Sequence, residues 1–221
     1  MTILLFDFFG TLVDYSPSRT AQGFRRSHAL VPHLPYEDFL AAVDATFAAF
    51  DRRSDLDDSE YSMYEVASAL LTSVGATADP GVFESTYLAE WQAGITVPAG
   101  LEGLLRDLRT RHRLSVVSNT HSPAMVPGLL ASLGVAGLFD AVVLSVDVGR
   151  RKPHPLIYRT ALDRLGIAAG EAVFVGDSYP ADYLGPSALG IASFLIDPDA
   201  LADVPAHRRI GSVFDLPARL A

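Results

Sequence analysis

Five short apolar runs constrain the fold of this chain more than anything else in it: Thr2–Phe6, Arg113–Val117, Ala141–Leu144, Ala172–Val175 and Ala192–Ile196. Each ends in a polar or glycine-containing turn, the pattern of strands buried in a parallel sheet. Helical patterns of ten or more residues lie between the later runs. Pro123–Leu133 stops before Gly134, Pro155–Leu165 before Gly166 and Pro180–Leu189 before Gly190, so each reads as a helix closed by a C-terminal glycine. Strand alternating with helix predicts an α/β fold built on a doubly wound, Rossmann-like parallel sheet.

The alternation fails between Tyr15 and about Val97, where no convincing strand is found. Ser18–Leu30, Tyr36–Arg53, Glu60–Val74 and Gly81–Gln92 carry apolar residues at 3- and 4-residue spacing, giving four expected helices. Residues 15–97 are therefore expected to form an inserted helical cap, with residues 1–14 and 98–221 as the α/β core. Caps of this kind are usually lids that select substrate and exclude water, the alternative being a helical subdomain with no gating role. Tyr15, Tyr61, Tyr64 and Trp91 are candidates to line a substrate pocket, although aromatic helix positions more often serve a core. The charged stretch Asp51–Ser59 reads as a solvated connection between helices.

Composition removes several classes of function. A chain of 221 residues can bury a full core without staples, and it has no cysteine, so disulfides, thiolate zinc sites and cysteine nucleophiles are closed to it. A formal charge of −9 argues against nucleic acid, whose phosphates are held by a surplus of Lys and Arg. The start MTILLFDFFG has no basic leader and too short an apolar run to span a bilayer, so neither signal peptide nor membrane anchor is expected. A cytoplasmic protein acting on a small molecule fits these features. Of the 17 basic residues, one alone is Lys, Lys152, which draws attention to its neighbours.

In an open parallel sheet, ligands bind beyond the carboxyl ends of the strands, so the residues after each run are the place to look for chemistry. After the first run comes Asp7-Phe8-Phe9-Gly10-Thr11-Leu12-Val13-Asp14, which can present a carboxylate while the backbone turns at glycine. Ser118-Asn119-Thr120 follows the second run; these are ordinary capping residues, and equally groups able to hold an anionic oxygen at a helix start. Beyond the third run, Gly149-Arg150-Arg151-Lys152-Pro153-His154-Pro155 sets Lys152 between a glycine and two prolines, where its ammonium can act as a point charge. Gly176-Asp177-Ser178-Tyr179-Pro180-Ala181-Asp182 follows the fourth, with two carboxylates five residues apart that could both reach one Mg²⁺ near Asp7. The plainer reading there is an N-cap at Asp177 and a first-turn acid at Asp182.

Taken together, these four segments resemble the four ordered motifs of the haloacid dehalogenase superfamily, with the helical insertion where that superfamily carries its C1 cap. The forms DFFGTL, GRRKPHPLIY and VGDSYPAD carry the likeness, which extends over nearly the whole chain. The resemblance implies a hydrolase with Asp7 as nucleophile, forming a covalent aspartyl intermediate. It implies that Ser118 binds the transferring group, that Lys152 orients and neutralises it, and that Phe9, Thr11 and Asn119 border the substrate. Asp7, Asp177 and Asp182 resemble the Mg²⁺-holding carboxylates of the phosphatases, and a homodimer stays open.

Position 9 departs from the phosphatase pattern, which has a second Asp there to protonate the leaving oxygen; this chain has Phe9. General acids typically contribute about 10²–10⁴-fold, so an unactivated alkyl phosphate should be a poor substrate unless another acid, such as His121, is supplied. Two substrates remain in view. The 2-haloacid dehalogenases of the superfamily commonly have an aromatic residue here, because halide leaves without a proton and without Mg²⁺; Arg19, Arg25 and Arg26 would be the candidates to cradle it. The third and fourth motifs instead resemble Mg²⁺-dependent phosphohydrolases, for which the substrate would be a small phosphorylated metabolite with a good leaving group. A phosphoryl-ligand binding protein that has lost turnover is the third alternative.

Overall fold

The computed structural model describes residues 2–16 and 21–220, which fall into two compact units, one of residues 1–14 and 97–221 and one of residues 15–96. Among the described residues of the first unit, six parallel strands form one sheet: β1 (Ile3–Phe6), β2 (Arg113–Ser118), β3 (Phe139–Leu144), β4 (Ala172–Gly176), β5 (Ala192–Ile196) and β6 (Arg209–Ile210). Their order is β3-β2-β1-β4-β5-β6. The winding direction thus reverses at β1, and the crevice at such a reversal lies outside the carboxyl end of the central strand. All four residues of β1 are buried, and Phe6 is in register with Val116 of β2 and Val175 of β4, so the residues that follow these three strands emerge side by side.

The helices in chain order are α1 (Arg25–His28), α2 (Tyr36–Ser54), α3 (Met63–Ser73), α4 (Pro80–Gln92), α5 (Leu101–Arg111), α6 (Met125–Ser132), α7 (Ser145–Val148), α8 (Pro155–Leu165), α9 (Gly185–Ser187) and α10 (Leu216–Arg219). The helix α8 spans the residues that the sequence pattern predicts, because Pro155 opens it and Gly166, at φ 66°, closes it in the left-handed region. Sequence reasoning missed α5, whose Leu101, Leu105 and Leu108 are buried at helical spacing, and the two-residue β6.

One expected helix of the α/β unit is corrected. Pro180–Leu189 is not a continuous α-helix but a π-helical turn at Tyr179–Leu184 followed by the short α9. Pro186 has no N–H to donate to the Asp182 carbonyl four residues back, so the α ladder cannot run through it and the chain widens just before it. This turn carries Asp182.

The helical unit has its own core, in which Phe24, Phe39, Phe47, Tyr61, Phe83 and Tyr87 are buried. Phe24 stacks on Tyr87 with ring centroids 4.3 Å apart. Truncating one such aromatic would cost about 3–5 kcal/mol. Here α3 begins at Ser62, whose side chain accepts from the Glu65 N–H while Glu65 accepts from Ser62 N–H, a reciprocal cap that starts the helix later than the Glu60 expected. The expected helix Ser18–Leu30 shrinks to α1, since Gly23 and Phe24 adopt φ 75° and 44° and break the helical path; residues 17–20, Arg19 among them, lie outside the described residues. Asp51–Ser54 continues α2 rather than forming a connection, and Asp51 accepts a 2.6 Å hydrogen bond from the Tyr61 hydroxyl. Tyr61 is thus a core residue of this unit.

Candidate active site

The Asp7 carboxylate stands at the end of the central strand, where its own N–H donates to Val175 O at 2.9 Å and so extends the ladder with β4 by one residue. The chain then folds back: Gly10 N–H donates to Val13 O at 2.7 Å, and Leu12 and Val13 N–H both donate to Phe8 O. Gly10 lies at φ 85°, and a Cβ there would fall 2.3 Å from Asp177 Oδ2. Any side chain at position 10 would push Asp177 out of the cluster. Gly176 does the same for the other acid, since a Cβ on it would come within 2.4 Å of Asp182 Cγ. Two glycines, legible in the sequence only as turn formers, are what let the carboxylates close in.

Lys152 is 3% exposed, and its Nζ donates 2.7 Å hydrogen bonds to both Asp7 Oδ1 and Asp182 Oδ1. The ammonium also stands 5.2 Å from the centre of the Phe174 ring. The other oxygen of Asp7 accepts from Thr11 Oγ1 at 3.1 Å, and the other oxygen of Asp182 accepts from Ser178 N–H at 2.9 Å. Asp182 is further fixed through its neighbour, because the buried Tyr158 hydroxyl donates to Ala181 O. Tyr158, Phe174 and the two glycines are site residues that sequence reasoning did not single out. Tyr158 sits inside GRRKPHPLIY, and its single polar tip on a buried helical face was the signal available.

Ser118, Asn119, Phe9 and His121 lie in the same unit as the cluster. Ser118, fully buried at the end of β2, donates only a long 3.4 Å bond to Asn119 O. Asn119 Nδ2 donates to Lys152 O at 3.0 Å, and Lys152 N–H donates to Asn119 Oδ1 at 2.7 Å. Phe9 is half-buried and meets Phe8 edge to face at 5.0 Å, and His121 is half-buried in the loop after β2. Arg25 and Arg26 belong to the helical unit, where the Arg25 guanidinium lies 3.3 Å from the centre of the Tyr36 ring and the Arg26 N–H donates to Glu90.

The electrostatics of the cluster are unbalanced. Burial alone would lower the Lys152 ammonium, but the charges of Asp182 and Asp7 outweigh it and hold the group above its usual range. Burial drives the Asp182 carboxyl upward against the pull of Lys152, with Asp7 pushing the same way. Asp177 is raised from 3.8 to about 6 by loss of hydration and by the charge of Asp7. Burial is the larger cause for both acids, and the charge of Asp7 adds to it, since two acids share the single ammonium and a third is left over. Oxygens of Asp7, Asp177 and Asp182 all lie within 4.8 Å of one another. Three carboxylates against one ammonium leave two negative charges, and an all-oxygen donor set of that charge fits a hard divalent cation such as Mg²⁺.

The family model of haloacid dehalogenase-like hydrolases matches residues 1–190. The chain is 31% identical over 194 residues to the human haloacid dehalogenase-like hydrolase domain-containing protein 3, covering 87% of this chain and 73% of that protein. It is 25% identical over 213 residues to the ribulose-1,5-bisphosphate 5-phosphatase of Halopiger xanaduensis, covering 91% and 87%. In fold it is similar to the crystal structure of 2-haloacid dehalogenase from Pseudomonas syringae pv. Tomato DC3000, with a TM-score of 0.76, 22% identity and coverage of 100% and 98%. The family match over most of its length makes this chain a member of the haloacid dehalogenase-like hydrolases, with a cluster at the switch point of its sheet that is buried at Asp7, Asp182 and Lys152 and exposed at Asp177. It is a hydrolase on an α/β Rossmann-like fold, and no helix of the described residues is long and apolar enough to cross a membrane.

Proposed function

We propose that this hydrolase is a Mg²⁺-dependent phosphohydrolase of small phosphorylated metabolites, with Asp7 as its nucleophile. The observation that carries the reading is the excess of negative charge at Asp7, Asp177 and Asp182, which a phosphate dianion would worsen and a divalent cation would relieve. Mg²⁺, when bound, would be held by these three carboxylates and would supply neutralisation of the incoming phosphoryl charge. Relatives named as phosphatases, among them the Halopiger xanaduensis protein, support the same substrate class.

In this reading an oxygen of Asp7 attacks phosphorus, the bond to the leaving oxygen breaks with its electron pair, and an aspartyl phosphate results. Water then cleaves that mixed anhydride, releasing phosphate and restoring Asp7. Lys152 and Thr11 fix the two oxygens of Asp7 before attack, so little reorganisation remains for the transition state. Ser118, whose hydroxyl is committed only to a long bond, is assigned to the transferring phosphoryl group, and Phe9 and Thr11 border the substrate. Phe9 offers no proton, so the leaving group is one that departs as a stable anion, as in an acyl or aryl phosphate. We assign the helical residues 15–97 the role of cap in this reaction.

Phe9 also favours a second reading, a metal-independent 2-haloacid dehalogenase in which Asp7 displaces halide and no acid is needed. One experiment separates the two. Phosphate release from acyl and aryl phosphates is expected with Mg²⁺, lost with EDTA, and reduced by at least about 10³-fold in Asp7→Asn, a variant that keeps its circular dichroism spectrum. Halide release from 2-haloacids in EDTA, with no phosphate release, would overturn the phosphatase reading. Binding of a phosphorylated ligand without turnover would overturn both.

A further inference from the structure

We infer that the Asn119 side chain is the positioning device that sets Lys152 in the site, an inference that rests on the reading of Lys152 as the cation of the reaction. The carboxamide of Asn119 addresses both peptide groups of a single residue 33 positions away: Nδ2 donates to Lys152 O at 3.0 Å, and Oδ1 accepts from Lys152 N–H at 2.7 Å. This is the pair of bonds that a neighbouring strand would give. Turned end for end, the amide would set donor against donor and acceptor against acceptor, so its orientation is fixed by the pairing itself.

The segment holding Lys152 needs such a partner. It lies between α7 and α8, outside any strand, and Pro153 and Pro155 on its far side have no N–H to anchor it. Asn119 is in turn anchored through its own neighbour, because the fully buried Ser145 Oγ accepts from Thr120 N–H at 2.9 Å and donates to Thr120 O at 3.2 Å. The turn after β2 and the connection after β3 are thus laced by two reciprocal side-chain-to-backbone pairs. The lacing fixes where the lysine stem begins, and the ammonium at its tip must meet two carboxylates, each at 2.7 Å, from loops after two other strands. An error of about 1 Å at the root of that stem is the kind that costs up to about 10²-fold in rate.

The chain has a single Lys, so ¹⁵N-lysine labelling of the full-length protein yields one main-chain amide signal, that of Lys152, readable without any substrate. In Asn119→Ala, hydrogen exchange of this amide is expected to rise about two- to tenfold, the loss of one net hydrogen bond. With an acyl phosphate and Mg²⁺, kcat is expected to fall about ten- to hundredfold while KM changes little. Asn119→Asp, nearly isosteric, keeps the acceptor for Lys152 N–H but loses the donor to Lys152 O, and is expected to lie between; it also serves if the alanine variant does not fold. In a Lys152→Met background, Asn119→Ala is expected to cost no further turnover, because the two changes break one device.

Unchanged amide exchange, a raised KM with unchanged kcat, or losses that multiply in the double variant would each overturn the positioning role. The last two would make Asn119 a substrate contact. Full turnover in Lys152→Met alone would overturn the reading of Lys152 itself, and amide exchange would still report whether Asn119 holds the segment.

Discussion

Two groups of acids stand on the same carboxyl-terminal edge of the sheet, and the protein treats them in opposite ways. Asp197, just after β5, accepts from Leu201 N–H at 3.0 Å, Ala202 N–H at 3.1 Å and Arg209 Nε at 3.0 Å. The Leu201 N–H above all holds its carboxyl below the usual range, with help from Ala202 and Arg209. Asp7 and Asp182 share one ammonium with Asp177 left over beside them, and Asp177 and Asp182 are pushed upward. Burial is the first cause of the upward shifts at Asp177 and Asp182, whereas at Asp197 the hydrogen-bond donors outweigh it. Asp197 has its donors at hand and pins the connection between β5 and β6. The other cluster keeps an excess of negative charge that a proton or a cation would relieve, and perturbed acids of this kind cluster at functional sites.

The strongest way to break this contrast is to remove the one cation. Lys152→Met is expected to lower turnover by about 10²–10³-fold, as loss of an oriented electrostatic group does. Without divalent cation it should also cost about 3–5 kcal/mol of stability, because the buried Asp182 and Asp7 charges lose their partner. Denaturant melts with and without Mg²⁺ read the second effect, and equal stability of variant and parent in EDTA would contradict the charge accounting.

Adding a fourth carboxylate sharpens the contrast from the other side. Phe9→Asp is expected to raise turnover of unactivated alkyl phosphates by about 10²-fold with Mg²⁺, by providing an acid, and to lower stability in EDTA. A folded Phe9→Asp protein with no gain on alkyl phosphates would count against the view that the missing acid limits the substrate range.

A third test uses pH. The Asp177 carboxyl, at about 6 against 3.8, binds its proton more tightly in the folded than in the unfolded chain. The metal-free protein should therefore lose stability as pH rises through this window, roughly pH 4 to 6, and not regain it above. Mg²⁺ must displace that proton, so its stabilising effect on the melting temperature should be larger at about pH 7.5 than at about pH 5. A Mg²⁺ effect independent of pH would place the ion away from Asp177.

The smallest effect is expected at the satisfied acid. Asp197→Asn should lower the melting temperature by a few degrees, since one amide replaces a charge that serves three donors, and should leave phosphate release and its Mg²⁺ dependence unchanged. Lost turnover in this variant would dissolve the distinction between the two groups of acids.

Much of this architecture was legible in local pattern. The first five strands appear where apolar runs end in turns, and α8 runs from Pro155 to Gly166 because proline and glycine act within a residue or two of themselves. Less visible were β6, two residues long, and α5, although Pro98 and Gly100 stand just before it. Between Pro180 and Leu189 the apolar periodicity runs on through Pro186, where the α ladder cannot follow it. Ser62 and Glu65 carried the capping signature that would have placed the start of α3.

By itself, then, the sequence determined the strand-and-helix alternation, the helical insertion and which acids, hydroxyls and lysine follow the strands, because turn chemistry and apolar spacing are local. The tertiary structure decided what those residues do to one another. Lys152 and Asp7 are 145 residues apart in the chain, and only the strand order with β1 at its centre brings them to 2.7 Å. The tie from Asn119 to the Lys152 peptide, and the closeness of Asp177 that Gly10 permits, are likewise distances across loops from different strands. Such distances are set by packing, and no periodicity within one segment encodes them.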